Sequence, residues 1–153
     1  MALLIQIHTK KSQEMIIMQE LRTLWHNLRL NPLHLILGSI ISVMGIVLLV
    51  NDSFFYWPPE WQWLFNNDLV DAFAIIVGTG LIAFVISGGR NQIANAVLLA
   101  LSAFFITMLV ILQLGHVLVI HDYSRLLSII ALAGWLLVIQ YLATHSKTVK
   151  RRK

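Results

Sequence analysis

Cysteine is absent from this chain of 153 residues, and only 12% of the residues are charged. The absence of cysteine excludes a domain held together by disulfides. A soluble domain has about a quarter of its residues charged, so this chain has too little polar surface to cover a globule in water. Hydrophobic residues make up 58% of the chain, which excludes a disordered protein. The composition therefore predicts an integral membrane protein.

Four long apolar segments predict membrane spans at residues 33–50, 69–87, 93–120 and 126–143. A hydrocarbon core about 30 Å thick is crossed by roughly 20 helical residues. The segments do not alternate in the way of transmembrane β-strands. We therefore expect an all-α membrane protein whose four transmembrane helices form a small bundle. The third span is longer than the hydrocarbon core requires, so it should tilt or project beyond the lipid.

The distribution of lysine and arginine predicts the orientation, because these residues are enriched in cytoplasmic segments. Ten of the 11 lie on one side of the predicted spans, and Arg125 is the exception. We expect a multi-pass protein of the cell membrane with both termini in the cytoplasm. Residues 1–32 then form a cytoplasmic N-terminal segment, and residues 144–153 form a basic cytoplasmic tail that binds anionic lipid. The compact chain without eukaryotic retention or lipidation signals favours a bacterial source.

The N-terminal segment has apolar residues at helical spacing, namely Ile17, Leu21, Leu24 and Leu28. This pattern predicts an amphipathic cytoplasmic helix that precedes the first span. Such a helix would lie on the inner membrane surface. The alternative is a helix that binds a partner.

Aromatic residues are concentrated between the first two spans, where residues 54–65 contain seven of the chain's 15. Tryptophan and tyrosine favour the membrane–water interface, because each ring is apolar with one polar edge. The predicted interfacial anchors are Tyr56, Trp57, Trp61 and Trp63. The alternative for this loop is a docking surface, or a plug over the mouth of the bundle.

Small residues recur at helical spacing within all four spans, and such residues allow helices to approach closely in lipid. The predicted packing positions are Gly38, Ser42, Gly45, Ala74, Gly78, Ala96, Ala100 and Gly134. Two uses remain open for these positions. They pack the four helices of one chain together, or some of them form a seam between copies of the chain.

Candidate metal ligands occur near the end of the third span, at His116, His121 and Asp122. Their spacing matches no established metal motif, so we expect ordinary interfacial histidines and no metal site. Catalytic motifs of the nucleophile-elbow and zinc-protease types are missing. We therefore expect neither an enzyme nor a cofactor, and no nucleic-acid partner.

The function expected from these patterns is that of a small, non-enzymatic membrane component. It would act through helix packing with itself or with a membrane protein partner. One alternative is a lesion-forming protein of the phage holin type, which the small size and cationic tail favour. A second alternative is a channel or carrier for an uncharged solute. The central part of each predicted span lacks Asp, Glu, Lys and Arg, which counts against an ion-coupled transporter.

Overall fold

The structure, a computed structural model, describes residues 2–51, 54–55 and 58–145, with side chains described from residue 13 onward. Within this part of the chain it is helical and contains no strand. The helices are α1 (Ala2–Leu30), α2 (Pro32–Val50), α3 (Gln62–Phe65), α4 (Asp68–Ile86), α5 (Gln92–Ile120) and α6 (Leu126–His145). Short 3-10 turns, Pro59–Trp61 and Tyr123–Arg125, precede α3 and α6.

Helices α2, α4, α5 and α6 are each long and apolar enough to cross a membrane. The prediction of an all-helical chain with four span-length helices is therefore confirmed. Helix α5 has 29 residues, against 19 in both α2 and α4. It is about 44 Å long at 1.5 Å per residue, so it extends well beyond its neighbours.

Asparagine side chains fix where two of these helices begin. Asn67 Oδ1 accepts a hydrogen bond of 2.9 Å from the backbone N–H two residues further on, at the start of α4. Asn91 Oδ1 accepts from the backbone N–H groups of Ile93 and Ala94 at 3.0 and 3.1 Å. These N–H groups have no carbonyl partner within the helix, so the caps stabilise its first turn. Helix α5 ends at Ile120, and the residue that caps it, His121, adopts a left-handed conformation with φ 61°.

The span-length helices contact one another in chain order. Helix α2 packs on α4, α4 on α5, and α5 on α6, while α6 also reaches α2. We call the end with residues 87–91 the α1 end, and the end with residues 58–67 and 121–125 the loop end. The buried core between the helices includes Leu37, Ile41, Ala74, Leu81, Leu99, Phe105, Ile106 and Leu109, and Phe55 joins it from the loop.

Helix α1 lies largely outside this core. Its side chains from residue 13 to residue 26 are exposed, including Ile17, Leu21 and Leu24. Near its C-terminus, Asn27 Nδ2 donates a hydrogen bond of 3.0 Å to the carbonyl oxygen of Ile86, the last residue of α4. Helix α1 is thus attached to the α1 end of the span-length helices, and the apolar side chains of residues 13–26 are uncovered by the described part of the chain.

Candidate functional site

The closest contact between two span-length helices lies where α2 crosses α4. A Cβ atom placed on Gly78 would lie 2.6 Å from the Gly38 carbonyl oxygen and 2.5 Å from the Ser42 backbone nitrogen. One placed on Gly45 would lie 2.9 Å from the Ala74 Cβ. Cβ contacts below 3.0 Å are essentially never seen in proteins, so this crossing requires glycine. Five of the eight predicted packing positions are buried here.

The other three predicted packing positions lie on exposed faces. Ala96 and Ala100 lie on the exposed side of α5, and Gly134 lies on the exposed side of α6. A Cβ atom placed on Gly134 would have no described atom within 4 Å. Of the buried residues of α6, Leu132 and Ile139 lie about 160° and 140° around the helix from Gly134, and Leu142 lies about 80° away. These three small residues therefore make no close helix contact within the described chain.

The predicted interfacial anchors fall into two groups. Trp61 and Trp63 are exposed at the loop end, with 57% and 72% of their surface accessible. The Trp61 ring stacks on Phe65, with centroids 6.3 Å apart. Tyr56 and Trp57 lie outside the described residues, and so does the basic tail from residue 146 onward. The described loop therefore presents two tryptophans to its surroundings.

The three candidate metal ligands have different environments. His116 is fully buried, and its Nδ1 atom is 2.8 Å from the Leu112 carbonyl oxygen of the same helix. His121 is exposed. Asp122 accepts hydrogen bonds from Ser124, and Arg125 Nε donates to it at 3.0 Å. Among the described residues, no group of three or more His, Cys, Asp or Glu side chains could hold a metal ion.

Polar side chains line the buried face of α5. Asn95, Ser102, Gln113 and His116 are at most 6% exposed, and their spacing places all four on one side of the helix. At the α1 end, His34 Nε2 of α2 donates a hydrogen bond of 2.9 Å to Asn95 Oδ1. Ser102 Oγ donates to the Leu98 carbonyl oxygen at 2.7 Å. A buried polar face therefore runs along much of α5, the longest of the span-length helices.

Two more buried polar side chains come from the other helices. Ser42 lies in the crossing of α2 and α4, and Asp71, which is 4% exposed, lies in the first turn of α4. Ser42 Oγ and Gln113 Oε1 are buried and form no hydrogen bond with any described residue. Such groups are rare in native proteins, because leaving them unpaired costs about 1–3 kcal/mol each.

Sequence reasoning singled out His116 but did not recognise that it belongs to a polar face of α5. A signal was present, because residues 7, 18 and 21 positions after Asn95 return close to the same side of a helix. The partner of Asn95 carried no such signal. His34 is 61 residues away in the chain, and only the arrangement of the helices in the fold brings the two together.

Comparisons with known proteins found no family model, no curated protein and no solved structure that matches this chain. Functional proposals therefore depend on the chain's own geometry.

Proposed function

We propose that the chain is a non-enzymatic, multi-pass component of a cell membrane that acts by helix packing. Its four span-length helices form a bundle, and the exposed small residues of α5 and α6 contact a second copy of the chain. The observation that supports this proposal is the open surface at Gly134, next to which no described atom lies within 4 Å.

The crossing of α2 and α4 shows what small residues do in this protein. Gly38 and Gly78 allow two backbones to approach so closely that no larger residue fits. Close approach gives dispersion contacts that lipid chains cannot replace. At Gly134, Ala96 and Ala100, lipid could cover a leucine equally well, so small side chains are needed there only if another helix approaches.

Cross-linking of single cysteines tests this proposal, since the chain has no cysteine of its own. We expect Gly134→Cys to form a disulfide-linked dimer in native membranes under mild oxidation. Ala133→Cys is the matched control, because it is also exposed but points about 100° away around the same helix. We expect little dimer from it. A cross-linked product of Gly134→Cys whose mass differs from that of a dimer would show that another protein, and not a second copy, contacts this position. Equal yields of dimer from the two variants would contradict the proposal.

The orientation proposed for the bundle places the α1 end in the cytoplasm and the loop end outside. The exposed Trp61 and Trp63 then lie at the outer interface, where tryptophan is favoured. The exposed apolar side chains of α1 then lie on the inner surface, close to its cations. Arg29 of α1 contributes one of them, and its guanidinium lies 5.4 Å from the Trp25 ring centroid.

Cysteine labelling in intact cells tests this orientation. We expect a membrane-impermeant maleimide to label Trp61→Cys from outside. Ser87→Cys is the control at the α1 end, where Ser87 is also exposed, and it should react only after the cells are permeabilised. The reverse pattern would show that both termini are outside.

A further inference from the structure

The buried polar side chains can be ordered along the membrane normal, because contacts between helices fix their relative levels. His34 of α2 bonds to Asn95 of α5, and both helices run from the α1 end. Eight residues beyond this pair, α2 has Ser42 and α5 has Ala103. Ser42 therefore lies at the level of Ala103, next to the buried Ser102.

The level of Asp71 follows from the antiparallel contact of α4 with α5. The Phe73 ring lies 6.4 Å from the Phe105 ring, and a Cβ atom on Gly80 would lie 3.0 Å from Leu98 Cδ2. Seven residues forward along α4, from Phe73 to Gly80, correspond to seven residues backward along α5, from Phe105 to Leu98. Asp71 is therefore level with residue 107 of α5, between Ser102 and Gln113.

These levels form a ladder through the helices. From the α1 end its members are His34 with Asn95, then Ser42, Asp71, Gln113 and His116. Successive levels are separated by about 12, 6, 9 and 4.5 Å at 1.5 Å of rise per residue. The whole ladder covers about 32 Å along α5. Its last two members lie beyond the levels at which α2 ends and α4 begins, in the part of α5 that extends past these neighbours.

Two members of this ladder have hydrogen-bonding atoms that the protein itself does not satisfy. Ser42 Oγ and Gln113 Oε1 are buried, at different levels, and bond to no described residue. Buried polar atoms of this kind are commonly satisfied by internal water. Water at these levels would extend hydrogen bonding from the His34–Asn95 pair towards Asp71, and from Asp71 towards His116.

We propose that this ladder conducts protons between the two ends of the span-length helices. The apolar side chains of Phe105, Ile106 and Leu109 are at most 2% exposed and fill the core at the middle levels. An ion or a solute needs an open pore, whereas a proton needs only a continuous chain of hydrogen-bonded groups and waters. Several waters in a row would have to occupy each of the intervals of about 12 and 9 Å. Ionisable groups buried within membrane spans commonly form such proton relays.

Each transfer in this path leaves the protein unchanged and requires no oxidant or reductant. An imidazole, at His34 or His116, takes a proton on one ring nitrogen and releases the other proton to the next group. The Asp71 carboxylate takes a proton on one oxygen and then releases it. The proton gradient or the membrane potential supplies the driving force. This activity goes beyond helix packing and is independent of it.

Proton flux into liposomes tests the proposal. The full chain is reconstituted into phosphatidylcholine vesicles that contain a pH-sensitive dye, with the membrane potential clamped by potassium and valinomycin. We expect wild-type protein to raise the flux above that of protein-free vesicles. Asp71→Asn should lower this flux on the order of tenfold or more, because positioned groups speed proton transfer strongly. Asp68→Asn is the matched control, since Asp68 lies in the same helical turn but is exposed, and its flux should equal that of wild type.

A second pair of variants covers the case in which Asp71→Asn does not reconstitute. Gln113→Leu removes a buried member of the ladder, whereas Gln140→Leu makes the same change at an exposed position on α6. Only the first should lower the flux. The proposal is overturned if wild-type flux equals that of empty vesicles, if the variants and their controls have equal flux, or if wild type also releases trapped carboxyfluorescein, as a lesion would. Cross-linking through Gly134→Cys is measured separately, so failure of one proposal leaves the other intact.

Discussion

Two of the antiparallel helix contacts in the described chain, α2 with α4 and α5 with α6, differ in how they are made. Glycines on both helices bring α2 and α4 into backbone contact at Gly38 and Gly78. Helix α6 instead packs on α5 through the larger side chains of Leu132, Ile139 and Leu142. Its glycine, Gly134, faces away from the described chain. Small residues at helical spacing therefore bring α2 and α4 together, whereas Gly134 of α6 leaves an open surface.

The largest expected effect comes from making the same change in both regions. Gly78→Leu places a side chain where a Cβ alone would lie 2.5 Å from the Ser42 backbone nitrogen. We expect it to destabilise the protein by about 3 kcal/mol or more, because overpacking forces the helices apart. Gly134→Leu meets no described atom within 4 Å and should leave the stability of the single chain unchanged.

Unfolding of the two variants in detergent, followed by circular dichroism against temperature or denaturant, measures this difference. Comparable losses of stability in Gly78→Leu and Gly134→Leu would break the contrast between the two contacts. Gly134→Leu should still weaken the dimer in membranes, because its side chain would occupy the proposed seam.

A smaller effect is expected in the loop that joins α2 to α4. The Phe55 backbone N–H donates to Asn66 Oδ1 at 3.0 Å, and Asn66 Nδ2 donates to the Phe55 carbonyl oxygen at 2.7 Å. These bonds hold the Phe55 ring, which is 1% exposed, in the core. We expect Asn66→Ala to cost about 2 kcal/mol, because it removes two partly buried hydrogen bonds.

Asn51→Ala is the control, since Asn51 is exposed at the other end of this loop. Hydrogen exchange should increase at residues 58–67 in Asn66→Ala and remain unchanged on α5 and α6. Equal protection of residues 58–67 in both variants would show that the Asn66 bonds do not hold the loop.

The sequence predicted the four helices but not which side of each helix faces inward. Long runs without charge located the spans, because charged side chains are costly in lipid whichever helix lies beside them. Gly78 and Gly134 both lie in small-residue stripes of apolar helices, so spacing could not separate them. Their difference depends on which helix lies beside each one. The His34–Asn95 bond depends likewise on where the fold places α2 and α5, which local sequence does not encode.

That hydrogen bond links the α2–α4 region to α5, so it reports how strongly the two regions are coupled. Removing the bond with His34→Phe or Asn95→Leu should lower the free energy of unfolding by about 0.6–2 kcal/mol. A double-mutant cycle isolates the bond from changes in packing. We expect the double variant to lose less stability than the sum of the single variants. Additive losses would mean that the bond contributes nothing to the coupling between α2 and α5.

The smallest expected effect concerns Arg125, which connects the two regions at the loop end. Its guanidinium lies 5.5 Å from the Phe54 ring centroid, and its Nε donates to Asp122 Oδ2 at 3.0 Å. Arg125→Ala should cost no more than about 1 kcal/mol, because partly exposed ion pairs and cation–π contacts are each weak. Asp122→Asn and Phe54→Leu separate the two contributions. If the ion pair dominates, added salt should bring the stability of wild type close to that of Asp122→Asn. If the ring contact dominates, only Phe54→Leu should reproduce the loss of Arg125→Ala, and the two regions are then coupled through the loop rather than through charge.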